Sequence, residues 1–361
     1  MNPKKFTLAA AVLLFVNSTV WAELSLVPGN ILVSSQNVIF EYTPSGDYVS
    51  QMTIPVNEAS EAARDFTMTA GNGVAVFNGT FNPQLSVFEE GAWQHSTIAG
   101  WSTPNNLSYG GIAVVDDMVF LTDGSTAYAQ ERGIIRYSLE TGAVSRFINN
   151  SDYIDITLGQ DGKLYALRNS YGDLDIIDPI SLAVLASLDL GHTSGSRGVT
   201  ADADGNIYMT SWNGFLAKYD VTGNQIASLP IPGSLYDIDI TGNGSIVIAS
   251  RSGSVYLTSV MMDSFTEVLT LTGPVFVAFV EQALPGEPAL SGSSYRKGRW
   301  INTTLDWQAD VSAIDVYLNG VLLETVTNET RFFYRASKHN SQVYKVCNAG
   351  TPICSDNYRA N

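Results

Sequence analysis

The chain is poor in histidine and in basic side chains, and both shortages restrict its function. Its 361 residues include 3 histidines, His95, His192 and His339, which lie on three different segments, so no pair is predicted to share a site. The 19 Lys and Arg residues are outnumbered by 35 Asp and Glu residues, and the formal net charge is −16. A field of this sign repels nucleic acid phosphates and anionic membrane surfaces. We therefore expect no nucleic acid partner.

Two sequence motifs of common enzyme classes are also missing. The chain has no G-x-S-x-G nucleophile elbow, and the turn that holds His192 and Ser194 has no acidic residue placed to complete a triad. No glycine-rich phosphate loop opens a helix, because no amphipathic helix is predicted in the mature chain. Serine hydrolase and nucleotide chemistry are disfavoured.

Long hydrophobic runs are absent after residue 22, so no membrane span is predicted. The first 22 residues begin with Lys4 and Lys5, continue with an apolar run from Leu8 to Val16, and end in a small-x-Ala sequence at Ala22. This pattern is typical of a cleaved secretory signal, since the apolar run is roughly half the length needed to cross a bilayer. We expect a secreted or periplasmic protein.

The chain has only 2 cysteines, Cys347 and Cys354. They are seven positions apart, with no additional metal ligands nearby. In an oxidising compartment such a pair predicts a local disulfide bond.

A repeat of about 43 residues dominates the region between the signal and residue 284. Each copy has a turn containing Gly or Asp followed by an alternating apolar strand, and equivalent positions recur in steps of 39 to 45 residues. This spacing is typical of one four-stranded propeller blade. The copies are GNILVSSQ from Gly29, GNGVAVFNG from Gly71, DDMVFLTDG from Asp116, QDGKLYALRNS from Gln160, DADGNIYMTSW from Asp202 and TGNGSIVIASR from Thr241.

The two ends of the repeat region complement each other. The first copy lacks an inner strand, and GPVFVAFVE from Gly273 is an inner strand with no blade behind it. Pairing of the two would close the ring and remove exposed sheet edges. Residues 23–284 are therefore predicted to form a six-bladed all-β propeller closed by a C-terminal inner strand, with five or seven blades as the alternatives if one weak copy is miscounted.

The turn–strand sequences DADGNIYMT at Asp202 and QDGKLYAL at Gln160 resemble NHL-like and SMP-30-like six-bladed propellers. That resemblance implies one functional hypothesis, that the protein is an extracellular metal-assisted lactonase or lyase. The metal ligands would be Asp65, Asp155 and Asp237, which precede or begin predicted inner strands and could converge on the axis around Ca²⁺. Alternatively, these aspartates cap turns or pair with neighbouring arginines, and no cofactor is bound.

Residues 285–361 form short alternating strands after the proline-containing sequence PGEPAL. They resemble a fibronectin type III domain, in which Trp307 would be the core tryptophan of the second strand and Tyr344 the tyrosine of the sixth. The disulfide would then clamp the last hairpin. This part has eight basic and seven acidic residues, whereas residues 23–284 have nine and 28.

One mouth of the predicted ring collects arginine and aromatic side chains that suit an extended polar ligand. The preferred hypothesis is a noncatalytic binding protein whose funnel engages a glycan or protein. The alternative is that these arginines neutralise the three aspartates within the ring. The predicted ligand-binding residues are Arg64, Tyr109, Tyr153, Arg168, Arg197, Trp212, Tyr236 and Arg251.

Overall fold

The computed structural model describes only strands, turns and connecting segments. Its secondary-structure elements are all β-strands, and the residues that the structure describes, given below, include no helix long and apolar enough to cross a membrane. The predicted signal at residues 1–22, Tyr109, His192 and His339 lie outside them. The described residues are 24–55, 63–69, 73–78, 84–89, 91–98, 110–123, 133–147, 152–168, 172–191, 195–280, 288–308, 313–327, 329–337, 342–348, 354–355 and 358–360.

Six four-stranded antiparallel sheets follow one another from residue 31 to residue 279. The first contains β1 (Ile31–Ser35), β2 (Val38–Tyr42), β3 (Tyr48–Thr53) and β24 (Val275–Phe279); the second β4 (Ala63–Met68), β5 (Val74–Asn78), β6 (Gln84–Glu89) and β7 (Ala92–Thr97); the third β8 (Ile112–Val115), β9 (Met118–Asp123), β10 (Gly133–Ser138) and β11 (Val144–Phe147). The fourth contains β12 (Tyr153–Leu158), β13 (Leu164–Arg168), β14 (Asp173–Ile177) and β15 (Val184–Asp189); the fifth β16 (Ser196–Ala201), β17 (Ile207–Ser211), β18 (Phe215–Tyr219) and β19 (Gln225–Pro230); the sixth β20 (Leu235–Ile240), β21 (Ser245–Ser250), β22 (Ser254–Ser259) and β23 (Thr266–Thr270).

The inner strands β4, β8, β12, β16, β20 and β24 each contact the next, and β24 contacts β4, so the sheets form a closed ring. Burial decreases outward, from a completely buried β24 to a largely exposed β19. Between the fourth and fifth sheets, Leu167, Leu174, Val199 and Met209 belong to one buried apolar cluster. The core of the ring therefore consists of layers between neighbouring sheets.

Strand β24 closes the ring by pairing antiparallel with β1, with Val33 opposite Val277. This pairing is the one that the sequence pattern predicts. Hydrogen bonds beyond the strands extend it, since the Gly29 N–H donates to the Val280 carbonyl at 3.0 Å and the Val280 N–H to the Asn30 carbonyl at 2.8 Å.

A buried carboxylate in β2 holds the segment that precedes this closure. Glu41 is completely buried and accepts five hydrogen bonds of 2.7–2.9 Å. Leu26 has a left-handed φ of 49°, a conformation that turns successive N–H groups toward one anion. The donors are the backbone N–H groups of Ser25, Leu26 and Val27, the Asn30 Nδ2 and the Ser50 Oγ.

Hydrogen bonds between residues of the Asp202 turn stabilise its conformation. The Asp202 carboxylate accepts the N–H groups of Asp204 and Asn206 at 3.1 and 2.9 Å, and Gly205 supplies a φ of +79°. A left-handed φ favours glycine, which explains the D-x-D-G-N sequence as turn chemistry.

Two further sheets form the C-terminal part. One contains β25 (Ala289–Lys297), β26 (Trp300–Gln308) and β29 (Arg331–Ser337); the other has the order β28 (Val321–Thr327), β27 (Ala313–Leu318), β30 (Gln342–Asn348) and β31 (Tyr358–Ala360). Leu305, Trp307, Tyr344 and Val346 share one buried cluster. The predicted disulfide between Cys347 and Cys354 is confirmed.

Candidate functional site

Three aspartates occupy equivalent positions in every second inner strand. Asp65 lies in β4, Asp155 in β12 and Asp237 in β20, and the pairing with the neighbouring strand shifts register just before each of them. All three are buried and line one small pocket. The structure thus brings together the three residues that the sequence singled out as metal ligands.

Each carboxylate bridges two neighbouring sheets. Oδ1 accepts the N–H of the following residue at 2.8 Å, and Oδ2 accepts an N–H from the inner strand of the next sheet at 2.7–3.0 Å. Asp65 thereby binds Ile112, Asp155 binds Val199, and Asp237 binds Val277. Asp239 repeats the device within β20 by accepting the Phe279 N–H at 2.7 Å.

Glycine permits the close approach of the neighbouring strand. A Cβ on Gly111 would lie 2.1 Å from the Ile156 nitrogen, and a Cβ on Gly198 would lie 2.9 Å from the Asp237 Cα. Backbone atoms cannot give way at such distances. The inner strands therefore approach Asp155 and Asp237 at positions where a side chain would clash.

The protonation of the three aspartates is shifted by their surroundings. Burial raises the pKa of Asp65 well above its usual range, and the charges of Asp237 and Asp155 add to the effect. Burial raises the pKa of Asp155 to about 7, although the N–H groups of Val199 and Ile156 oppose the shift. Burial and the charge of Asp155 also hold the pKa of Asp237 well above its usual range.

The described residues do not fit a calcium centre. Among them, no group of three or more His, Cys, Asp or Glu side chains is arranged to hold a metal ion. The aspartate oxygens accept backbone N–H groups, which is a donor environment for an anion and the opposite of what a cation needs. The alternative expectation from the sequence is that the three aspartates cap turns or pair with neighbouring arginines. In the structure they instead accept N–H groups of the inner strands.

Four of the predicted ligand-binding residues meet at one place, which we call the Trp212 mouth and define as Arg197, Trp212, Tyr236, Arg251 and Phe276. The guanidinium carbons of Arg197 and Arg251 lie 5.0 and 4.8 Å from the Trp212 ring centroid. Trp212 is half-buried and its ring lies 5.6 Å from that of Tyr236, which lies 6.1 Å from Phe276. Arg251 is exposed. The mouth combines two cationic groups with one half-buried indole ring, which packs on the buried rings of Tyr236 and Phe276.

Tyr153 and Arg168 lie in a different environment. Arg168 donates to the completely buried Asp175 at 2.6–3.0 Å, and both the Tyr153 hydroxyl and the Ser187 hydroxyl donate to the same carboxylate. Tyr153 is itself completely buried. This cluster ties β12, β13, β14 and β15 together, which gives Tyr153 and Arg168 a role inside the sheet.

Arg64 is also enclosed, with 1% of its surface exposed and its guanidinium 5.2 Å from the Phe77 ring centroid. Tyr109 lies outside the described residues.

Asp175 was missed by sequence reasoning, although the alternation in the sequence DLDII of β14 places Asp175 on the same face as Asp173 and Ile177. His95 contacts Ser86 and Trp93 in the second sheet, away from the inner strands.

No protein-family model matches the chain, and no curated protein matches its sequence. Among solved structures, a streptogramin B lyase aligns with 69% of this chain and 86% of its own, at 16% identity and a TM-score of 0.48. A virginiamycin B lyase from Staphylococcus aureus aligns with 83% of this chain and 88% of its own, at 13% identity and a TM-score of 0.47. Similarity at this level says nothing about activity, so the function is inferred from the site.

Proposed function

We propose that residues 23–284 form a six-bladed propeller and residues 285–361 a fibronectin type III-like module of a secreted or periplasmic protein. The six sheets with inner strands in a closed ring support the first assignment. The three-stranded and four-stranded sheets around Trp307 and Tyr344 support the second. Both parts offer rigid surfaces for recognition.

We infer that the protein is a noncatalytic binding protein whose Trp212 mouth takes a glycan or protein ligand. The observation that carries this proposal is the placement of two guanidinium groups against one half-buried tryptophan, next to Tyr236. Aromatic faces stack on sugar rings or apolar side chains, while guanidinium edges donate paired hydrogen bonds to hydroxyl or carboxylate oxygens. Fold alone does not decide between binding and catalysis.

Replacing Trp212 by Ala is expected to weaken ligand binding at least tenfold, because it removes the aromatic surface and the support of both arginines. The measurement is a panel of neutral and acidic oligosaccharides and of peptides, read by thermal shift of the mature protein, since a ligand of the folded state raises Tm. Trp93→Ala is the matched control, because Trp93 packs on the same buried apolar cluster as Trp212 but beside Phe88 of the second sheet, not against Arg197 and Arg251. Equal losses in both variants, or none in Trp212→Ala, would contradict the proposal.

The second candidate is a metal-assisted lactonase or lyase, favoured by the convergence of Asp65, Asp155 and Asp237 on one pocket. We expect no cofactor, so millimolar Ca²⁺ should leave Tm unchanged in buffer pretreated with chelator. A calcium-dependent rise in Tm that Asp155→Asn and Asp237→Asn both abolish would reverse the preference and direct attention to lactone substrates. Asp220→Asn is the control, because Asp220 is a half-buried turn residue that is not among the aspartates of the pocket.

A further inference from the structure

The outer face of the three-stranded C-terminal sheet carries exposed aromatic and basic side chains. Strand pairing places Tyr295 opposite Asn302 and Asn302 opposite Arg335, while Trp300 is two residues from Asn302 on the same face. Thr304 lies opposite Phe333 on that face. We call this surface the Trp300 face and define it as Tyr295, Arg299, Trp300, Asn302, Phe333 and Arg335.

Two arginines stack on one tryptophan here as well. The guanidinium carbons of Arg335 and Arg299 lie 4.7 and 5.1 Å from the Trp300 ring centroid. A stacked guanidinium keeps its N–H edge available for a carboxylate or sulfate. Within the described ranges neither arginine forms an ion pair, whereas Arg331, at the other end of β29, is paired with Asp306 at 2.5 Å.

The remaining residues of the face supply stacking surface and include one buried amide. Tyr295 and Phe333 are 58% and 57% exposed, which is high for large apolar rings. Asn302, between Tyr295 and Arg335 in the register, is only 5% exposed, and its Nδ2 has no acceptor among the described residues. A buried amide donor without a partner is costly.

We propose that the Trp300 face binds an anionic polysaccharide of the uronic acid class. Its pyranose rings would stack on the exposed aromatic rings, and its carboxylates would accept hydrogen bonds from Arg299 and Arg335. Charge complementarity favours this occupant, because Arg299 and Arg335 have no ion-pair partner among the described residues and belong to residues 285–361, where eight basic residues outnumber seven acidic ones.

The test is affinity electrophoresis and calorimetry of the full mature protein with polygalacturonate and with its carboxyl-reduced, neutral counterpart. Polygalacturonate is expected to bind and the neutral polymer to bind at least tenfold more weakly. Trp300→Ala and Arg335→Gln should each reduce polygalacturonate affinity at least tenfold. Arg331→Gln, an identical charge change on the same strand but within the Asp306 pair, should retain affinity within twofold.

Three outcomes would overturn the proposal. Equal losses in Arg331→Gln and Arg335→Gln would show nonspecific attraction to a polyanion. Loss in Trp212→Ala with none in Trp300→Ala would assign the polysaccharide to the ring. A dimer in sedimentation that Trp300→Ala converts to monomer, without polysaccharide binding, would assign the face to a second copy of the chain. Circular dichroism of each variant excludes misfolding as the cause of any loss.

Discussion

Glu41→Gln is expected to lower the free energy of unfolding by about 3 kcal/mol, because an amide NH₂ replaces one acceptor oxygen among five donors in a buried site. Burial alone would raise the pKa of Glu41, but the hydrogen bonds from Ser50, Val27, Asn30 and Leu26 outweigh it and lower the pKa. The native site is thus selective for the charged carboxylate. For a ring of this size the change corresponds to a fall in Tm of roughly 6–12 °C.

The loss should appear first at the ring closure. Residues 25–30 lead directly into β1, and Gly29 and Asn30 are bonded to Val280. Hydrogen exchange is therefore expected to accelerate in β24 of Glu41→Gln before it does so in β17. Glu140→Gln, in an exposed turn, is the control and should keep both Tm and exchange of the parent protein. An unchanged Tm in Glu41→Gln would show that the segment contributes nothing to closure.

The protein is expected to lose stability as pH rises from about 5 to 8. The raised pKa values of Asp65, Asp155 and Asp237 mean that the folded chain holds protons that the unfolded chain has already released. Stability from such groups is complete below the unfolded pKa and is lost as pH rises through the folded one. For Asp155 a move from 3.8 to about 7 corresponds to about 4 kcal/mol over the whole titration, of which about 2.5 kcal/mol is lost between pH 5 and 8, hence a Tm lower by roughly 5–10 °C at pH 8 than at pH 5.

Glu41 acts in the opposite direction. Because its pKa is lowered, its contribution is lost as pH falls through the folded value, below the usual 4.5. Tm should therefore be highest at about pH 4 to 4.5, where Glu41 is charged in the folded chain and the aspartates of the unfolded chain have only begun to release protons. Scanning calorimetry from pH 3 to pH 9 measures the decrease of Tm on both sides of this maximum.

Two substitutions distinguish titration of the buried aspartates from general charge repulsion as the cause of the fall in Tm. Asp155→Asn removes one titrating group, so it should flatten the decline between pH 5 and 8 while lowering Tm at pH 5 through a lost backbone hydrogen bond. Asp220→Asn removes the same charge from a turn where hydrogen bonds from Thr222 and Asn224 lower the pKa to about 2, so it should leave the slope between pH 5 and 8 unchanged. Equal slopes in both variants would contradict the assignment.

Sequence periodicity predicted the strands of the ring well, because each repeat alternates apolar residues between turns rich in Gly and Asp. It also predicted that β24 would complete the first sheet, since a strand was missing at one end of the pattern and present at the other. Such patterns specify which residues face the interior. They do not specify which polar atoms meet across sheets.

That limit explains the contacts at Tyr153, Arg168 and Glu41 that the pattern did not predict. The repeat pattern predicts that Tyr153 and Arg168 lie at one mouth of the ring. In the structure both donate hydrogen bonds to Asp175 within their sheet. The partner lies on β14, whose side-chain orientation toward Arg168 depends on strand twist. Glu41 gave no signal at all, because its donors are mainly backbone groups, which no side-chain pattern records. The spacing of Asp65, Asp155 and Asp237 did predict their convergence, since inner strands meet at one axis.

The pairing of β1 with β24 also determines when the ring can be completed. Synthesis proceeds from the N-terminus, so β1, β2 and β3 are made long before β24, and the inner edge of β1 has no partner from its own sheet until Phe279 is available. An open strand edge can pair with another chain. Nascent molecules are therefore most vulnerable to aggregation just before their last ring strand emerges, and ribosomal or export pauses upstream of residue 275 should lower the yield of soluble protein.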